Sequence, residues 1–279
     1  MSIWYSLCDA LSLEMLQWRF MQHAFLAILI MAPLFGLMST MIVSGKMSFF
    51  SDALGHSAFT GIAIGSLCGI SSATPVAVIF AIVFSLLFSY MRYKSNQAAD
   101  TLIGVFSSTA VAIGIFVATF GGNSFTKYNK YLIGDILSVT PSEIAMLAIV
   151  LLLVVVFWIL FSNKLTLSSV HPQLASSRGI SIAWIQTLFT TLVAVVVTLA
   201  ISWVGLLILN SLLVLPAASA RNVARNMRQY HILSVVFALI ASMIGLCISY
   251  YWGSSAGAAI CLVLAMVFLI SFLCRKVKN

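Results

Sequence analysis

Long apolar segments follow one another along this sequence and constrain its fold more than any other feature. A helix of about 20 mainly apolar residues crosses a bilayer, and a shorter one can do so when its neighbours shield it. Nine such segments cover residues 22–43, 57–69, 75–91, 102–120, 144–161, 182–202, 204–218, 232–251 and 256–273. The sequence therefore predicts an all-α integral membrane protein, a polytopic bundle of about 8–10 transmembrane helices.

The overall composition agrees with a membrane protein. Of 279 residues, 62% are hydrophobic and 7% are charged, whereas soluble domains carry about 25% charged residues. The same numbers exclude intrinsic disorder, which requires low hydrophobicity. With no long linker or low-complexity tract, residues 1–279 are predicted to form a single transmembrane domain.

Basic residues give the chain an orientation. The net charge of +8 comes from 14 Lys and Arg against 6 Asp and Glu, and the basic residues lie in short clusters between apolar segments. Such clusters are typical of cytoplasmic loops and not of nucleic-acid binding. The clusters predicted to be cytoplasmic are Arg92 and Lys94; Lys164 and Arg178; Arg221, Arg225 and Arg228; and Arg275, Lys276 and Lys278.

The segment around Asp52 and His56 combines ionisable and small residues. On a helix these two side chains share a face, and together they offer the carboxylate oxygen and imidazole nitrogen that zinc or manganese accepts. Ser57, Gly61 and Gly65 form a second stripe, which is suited to close helix packing. The alternative is that Asp52 caps the helix and His56 binds a backbone carbonyl. Two ligands suit a transient site from which a transported ion is released.

Three other acidic residues have simpler interpretations. Asp100 fits the start of a helix, where a carboxylate meets unpaired N–H groups. Glu143 is predicted to form a capping box with Thr140. Asp135 lies in the connection predicted to face outside, where it either attracts cations to an outer vestibule or only solvates the loop.

The polar segment from His171 to Gly179 interrupts the apolar pattern and predicts either a short cytoplasmic helix ended by glycine or an ordinary loop. His23 and His231 stand near membrane boundaries and are expected to be interfacial. No phosphate-binding loop GxxxxGK[ST], no HExxH and no GxSxG motif is present. We therefore expect a protein that is not an enzyme and does not hydrolyse ATP itself.

The sequence resembles the permease subunits of the bacterial ABC-3 family, which take up zinc and manganese, and is most similar to the zinc type. The resemblance runs through nearly the whole chain and rests on five motifs in the family's order. They are MSFFSDALGHSA (47–58), DTLIGVFSST (100–109), LIGDILSVT (132–140), LNSLLVLPAASAR (209–221) and SAGAAI (255–260).

This resemblance implies a type II ABC importer in the bacterial cytoplasmic membrane. Two permeases would form the pathway, two ATPase subunits would bind ATP on the cytoplasmic side, and an external metal-binding protein would deliver Zn²⁺ or Mn²⁺. No permanent cofactor is implied. Asp52 and His56 match the family's metal-contacting Asp and His. Residues 169–180 match its cytoplasmic coupling helix, with contacts to the ATPase from His171, Pro172, Gln173, Leu174, Ala175, Arg178 and Gly179.

Two departures from the family pattern concern charge. Where members commonly have Asp-Pro-Glu, this chain has His171-Pro-Gln173, which removes two negative charges from the expected ATPase contact. The acidic residue that usually precedes the Ser-Gly-Ala stretch is also missing after Trp252. Both partner surfaces are therefore expected to differ in charge from those of other members.

The sequence leads to one main hypothesis and two alternatives. The main one is a homodimer that imports a divalent metal, zinc before manganese or iron, by alternating access, with entry near Asp135 and passage along Asp52 and His56. A self-sufficient carrier would use the same two residues as proton relays. A membrane-embedded enzyme is the third reading, and the scarcity of polar residues argues against it.

Overall fold

The computed structural model describes residues 4–5, 14–68, 74–95, 97–119 and 136–276, without the Ser202 and Lys276 side chains. Ten α-helices lie within these residues, which contain no β-strand. The helices are α1 (Arg19–Ser44), α2 (Phe50–Leu67), α3 (Thr74–Lys94), α4 (Ala99–Thr119), α5 (Pro141–Val170), α6 (Pro172–Ser177), α7 (Ile182–Val204), α8 (Leu206–Val223), α9 (Met227–Trp252) and α10 (Ala256–Lys276).

Eight of these helices are long and apolar enough to cross a membrane: α1, α3, α4, α5, α7, α8, α9 and α10. This confirms the predicted all-α, multi-pass membrane fold. The helix α2 corresponds to the remaining predicted segment, 57–69, and is less apolar than these eight helices. Thirteen of its eighteen residues are buried, so its neighbours provide the apolar surroundings that its own sequence lacks.

Two helix boundaries differ from the prediction for physical reasons. The predicted segment 57–69 begins at Phe50 in the structure, because burial against neighbouring helices extends α2 through the polar residues around Asp52. The predicted segment 144–161 continues to Val170 in α5. At about 1.5 Å per residue, its 30 residues span about 45 Å, which exceeds a hydrocarbon core of about 30 Å. Hydropathy does not mark the part of a helix that leaves the membrane.

The chain divides into two compact units. The first contains Met1–Thr40, Asp135–Val155 and Trp203–Asn279, and the second contains Met41–Gly134 and Val156–Ser202. The boundaries fall inside α1, α5 and α7 and between Gly134 and Asp135. That residues 1–279 act as a single domain stays a prediction.

Small residues bring helices close together in the first unit. A Cβ on Gly245 of α9 would lie 2.5 Å from the Cα of Ile260 in α10. The Oγ atoms of Ser39 in α1 and Ser234 in α9 are 2.9 Å apart. Backbone proximity and hydroxyl hydrogen bonds are the usual means of joining helices inside a membrane.

In the second unit, α2 packs against both α3 and α4. Hydroxyl groups also join α3 to α7, since Ser89 Oγ lies 2.8 Å from Thr190 Oγ1 and Ser85 Oγ donates to Thr191 Oγ1 at 3.2 Å. These contacts hold the helices that surround the ionisable residues of α2.

Candidate functional site

Asp52 and His56 lie one turn apart in α2, and we call them the Asp–His pair. The His56 Nε2 is 3.7 Å from the Asp52 Oδ2, and the two side chains are 33% and 47% exposed, respectively. All the remaining residues from Phe50 to Ala63 are buried. The pair is therefore the polar opening in a helix face that is otherwise enclosed.

Packing against α3 sets the depth of the Asp–His pair. The rings of Phe50 in α2 and Phe88 in α3 are 4.7 Å apart between centroids. Farther along, a Cβ on Gly61 would lie 2.5 Å from the Ala77 Cα. Going from the first contact to the second, the sequence advances from Phe50 to Gly61 in α2 and goes back by the same number of residues, from Phe88 to Ala77, in α3. The two helices are therefore antiparallel, and these contacts fix their register. The Asp–His pair consequently lies level with the middle third of α3, a candidate membrane span.

Packing against α4 places His56 at the same depth independently. The Thr60 Oγ1 donates to the Ala110 carbonyl at 2.6 Å, and a Cβ on Gly114 would lie 2.6 Å from the same Thr60 Oγ1. His56, one turn before Thr60, is therefore level with the middle of α4, which runs parallel to α2. Both registers put these ionisable groups level with the middle of candidate membrane spans. Ionisable groups at such a depth normally face a cavity or a partner.

The basic end of α3 shows which end of α2 is closer to the cytoplasm. The Arg92 guanidinium donates through Nη2 to the Gly45 carbonyl at 3.1 Å and through Nη1 to the Met47 Sδ at 2.8 Å. The connection from α1 to α2 therefore lies beside Arg92 and Lys94. The positive-inside rule therefore predicts that α2 begins at the cytoplasmic side.

Aromatic and aliphatic side chains close α2 on both sides of the Asp–His pair. Toward the start of α2, Phe50, Phe84, Phe88 and Phe106 form an aromatic cluster with T-shaped contacts at 5.4 and 5.6 Å between ring centroids. Toward its end lies a buried cluster of Phe59, Ile62, Ala63, Ala77 and Ala118. The polar opening is thus limited to about two turns of helix.

Thr60 is a site residue that the sequence interpretation missed. Its Oγ1 contacts the His56 carbonyl at 3.2 Å as well as that of Ala110. It therefore joins the turn that carries the imidazole to α4. A threonine one turn after His56 could have been recognised from spacing alone.

The Asp–His pair can bind a borderline divalent cation through one oxygen and one nitrogen. No group of three or more His, Cys, Asp or Glu side chains suited to a metal ion exists among the described residues. The described residues of one chain therefore supply two protein ligands at this position, whereas zinc sites in proteins generally have three or four.

The other acidic residues lie apart from the pair or outside the described structure. Asp135 falls outside the described residues. Asp100 is exposed in the first turn of α4. The predicted capping box is confirmed, since the Glu143 carboxylate accepts from the Thr140 N–H at 2.7 Å and the Glu143 N–H approaches the Thr140 Oγ1 at 3.4 Å.

Both histidines expected at membrane boundaries have aromatic or hydroxyl neighbours. The His23 Nε2 lies 2.8 Å from the Tyr5 hydroxyl, and the His231 Nδ1 lies 2.9 Å from the Thr40 Oγ1. Within the part of the chain that the structure describes, neither belongs to a group of three or more side chains that could hold a metal ion.

The short helix predicted between His171 and Gly179 is present as α6, with Pro172 in its first turn. Gly179 follows it with φ of +72°, a conformation that favours glycine. The Ala175 side chain is buried and anchors the helix, while Gln173 and Leu174 are exposed. α6 therefore presents a largely polar surface with no acidic residue.

Comparison with known proteins places these features in a family. Residues 17–275 match the model of the ABC 3 transport family. The manganese transport system membrane protein MntC of Listeria monocytogenes is 28% identical over 259 residues, covering 93% of this chain and 92% of that protein. The high-affinity zinc uptake system membrane protein ZnuB of Haemophilus influenzae is 27% identical, covering 89% and 93%.

A solved structure is similar along its whole length. PsaBC from Streptococcus pneumoniae, in complex with Fab, contains a chain that superposes with a TM-score of 0.80 and 27% identity, with 100% of both chains covered. The family match spans nearly the whole sequence and includes the helix with the Asp–His pair. This multi-pass membrane protein belongs to the ABC 3 transport family.

Proposed function

We propose that two copies of this chain form the membrane pathway of an ATP-driven importer for a divalent transition metal ion, with zinc as its substrate. The observation that carries the proposal is the half-exposed Asp–His pair, level with the middle of two candidate membrane spans, in a helix whose other residues from Phe50 to Ala63 are buried. Family membership and the transport systems named for its relatives support metal ions as the cargo.

A second copy of the chain would resolve two physical difficulties of this site. In a single chain, the pair's exposed faces would meet lipid, which is costly for ionisable groups. The described part of one chain also contributes two ligands at this position. Two copies arranged with these faces toward a shared pathway would keep the groups away from hydrocarbon and supply two carboxylates and two imidazoles.

The division of labour with other subunits follows from the polar surfaces of the chain. We assign α6 and its flanks, from residue 169 to 180, to contact with two ATPase subunits on the cytoplasmic side. With His171 and Gln173 in place of carboxylates, this surface suits a partner that is less basic than is usual. Asp135 is assigned to the outer vestibule, where a metal-binding protein would release the ion into the pathway.

Zinc is the preferred substrate because imidazole nitrogen suits zinc better than manganese, which favours oxygen ligands. Manganese is the second candidate, because several relatives are named for manganese transport. Uptake of labelled Zn²⁺ in the presence of increasing Mn²⁺, and the reverse, distinguishes the two. Stronger inhibition of Mn²⁺ uptake by Zn²⁺ than the reverse supports zinc.

The test is ATP-dependent metal uptake by the complex reconstituted in vesicles. We expect the double variant Asp52→Asn, His56→Gln to lose at least about tenfold in uptake, since loss of metal ligands exceeds the effect of losing outer-shell partners. Asp100→Asn is the matched control, because Asp100 is an exposed carboxylate away from mid-depth.

Two results would reject the proposal. Full uptake by the double variant would remove the Asp–His pair from the pathway. Metal transport by the purified chain alone, driven by a proton gradient without ATP, would replace the importer with a secondary carrier.

A further inference from the structure

The second compact unit contains a cavity where α5, α7 and the connection after α6 meet. Its volume is about 500 Å³, within the range of roughly 300–1,000 Å³ found for small-molecule sites. It is separate from the Asp–His pair, because none of its lining residues belongs to α2, α3 or α4.

The floor of the cavity is apolar. Phe161 of α5 and Trp184, Ile185 and Leu188 of α7 line it. These residues come from two helices that are candidate membrane spans. Trp184 is 64% exposed and lies in the first turn of α7, a position typical of the aromatic belts at membrane interfaces. The floor therefore continues the lipid-facing surface of the protein.

The rim of the cavity is cationic. Lys164 and Arg178 line it and are both exposed. The Lys164 Nζ lies 5.8 Å from the centroid of the Phe161 ring. None of the described residues that line the cavity is acidic. Two cations beside an apolar floor, without a compensating carboxylate, form a site for an anion that carries an apolar tail.

The position along α5 and α7 matches the membrane boundary. Lys164 comes three residues after Phe161, where the apolar run of α5 ends, and Ser181 directly precedes α7. Lys164 lies near the end of α5 and Arg178 directly after α6. Both belong to the basic cluster that the positive-inside rule places in the cytoplasm. The cavity therefore opens from the cytoplasmic surface toward the hydrocarbon.

We propose that this cavity binds an anionic phospholipid of the cytoplasmic leaflet. Its phosphate is held by Lys164 and Arg178, and its acyl chain lies along Phe161, Trp184 and Leu188. Basic pockets between membrane helices are recognised by anionic lipid head groups in this way. A free phosphate would use the rim but gain nothing from the floor, and a protein partner would not require a floor that continues a lipid-facing surface.

The lipid would lie directly beside α6. Arg178 and Gly179 line the cavity and also end the segment assigned to the ATPase contact. Membrane composition would therefore influence α6 through Arg178, which belongs to both the cavity and the segment assigned to the ATPase contact.

The test uses the full chain in nanodiscs whose lipids carry brominated acyl chains, which quench tryptophan fluorescence at short range. The signal of Trp184 is the difference between the unaltered chain and Trp184→Phe. We expect brominated phosphatidylglycerol, present as a minor component among phosphatidylcholine, to quench Trp184 more than equally diluted brominated phosphatidylcholine. The variants Lys164→Gln and Arg178→Gln should each reduce the preference by about fivefold.

Matched controls separate this site from general surface charge. The double variant Arg221→Gln, Arg228→Gln removes two exposed basic residues. Both are predicted to be cytoplasmic, and neither lines this cavity. It should keep the preference. Equal quenching by both lipids, or a preference that survives in the Lys164→Gln, Arg178→Gln double variant, would overturn the proposal.

Two further arms identify other occupants. Addition of inorganic phosphate at the concentration of phosphatidylglycerol should leave quenching unchanged, and loss of the preference would mean that the cavity binds free phosphate. In the complex with co-purified ATPase, quenching of Trp184 should persist. Its disappearance there would identify the cavity as a protein-docking surface and overturn the lipid assignment.

Discussion

The helices α2 and α5 differ in opposite directions in hydropathy and in burial. In α5, the most apolar of the candidate spans, 22% of the most apolar stretch is buried, and residues such as Leu152 and Ile159 are largely exposed. In α2, which is not apolar enough to be counted among those spans, most residues are buried. Hydropathy therefore reports contact with lipid, whereas the helix with the candidate chemistry is the one that other helices shield.

The largest effect is expected on membrane insertion, when an acidic residue such as α2 contains is placed in α5. Leu152 is 65% exposed near the middle of α5, so Leu152→Asp would place a carboxylate against hydrocarbon. We expect a cost of about 3 kcal/mol for insertion. The inserted fraction, measured by protease protection, should fall strongly, while Leu152→Ala serves as the control. Normal insertion of the Asp variant would mean that α5 does not face lipid.

The second prediction tests how tightly α2 is enclosed. A Cβ on Gly61 would lie 2.5 Å from the Ala77 Cα, whereas a Cβ on Gly104 would meet nothing within 4 Å. We expect Gly61→Ala to lower the free energy of unfolding by about 1–3 kcal/mol. Gly104→Ala should be neutral or stabilising, since alanine favours a helix by up to about 1 kcal/mol. Thermal unfolding in detergent measures both, and equal midpoints would show that α2 and α3 are farther apart.

The third prediction separates function from stability at the Asp–His pair. Replacing both residues by leucine removes ionisable groups from mid-membrane depth without creating a cavity. We expect the unfolding free energy of the isolated chain in a bilayer to stay unchanged or rise by about 1 kcal/mol. Metal uptake should be lost. A clear loss of stability would instead show that the pair holds α2 in place.

The smallest effect concerns the hydrogen bond between α2 and α4. Thr60→Val removes the bond to the Ala110 carbonyl, and interhelical hydrogen bonds in membranes average about 0.6 kcal/mol. Thr109→Val is the matched control, because its Oγ1 donates only to the Val105 carbonyl of its own helix at 2.8 Å. Thermal unfolding should show a larger decrease for Thr60→Val. A larger decrease for Thr109→Val would contradict the role of Thr60.

The sequence was sufficient for the fold class because lipid contact selects long apolar helices, and α5 shows that selection most strongly. For residues 171–179 the sequence pattern left a short helix and an ordinary loop open, and the resemblance to the family favoured the helix. In the structure, Pro172 lies in the first turn of α6 and Gly179 follows it with a positive φ, which are local start and stop signals. The beginning of α2 was predicted seven residues too late. Asp52 and His56 break the apolar pattern, and only neighbouring helices make a helix favourable there.

The depth of the Asp–His pair could not be predicted from spacing. Residues four apart share a helix face wherever the helix lies, so the pattern indicated a pair but gave no position along the membrane normal. That position depends on the register of α2 against α3 and α4. The register is set by contacts far apart in sequence, such as Gly61 with Ala77.

The low hydropathy of α2 also has a consequence for how the protein is made. The ribosome completes α2 at Leu67, whereas α4, against which it packs, is complete only at Thr119. At synthesis rates of about 5–20 residues per second, α2 waits roughly 3–10 s for that partner. During this interval it is too polar to settle stably among lipids. Nascent α2 therefore depends on the insertion machinery to shelter it until its neighbours emerge.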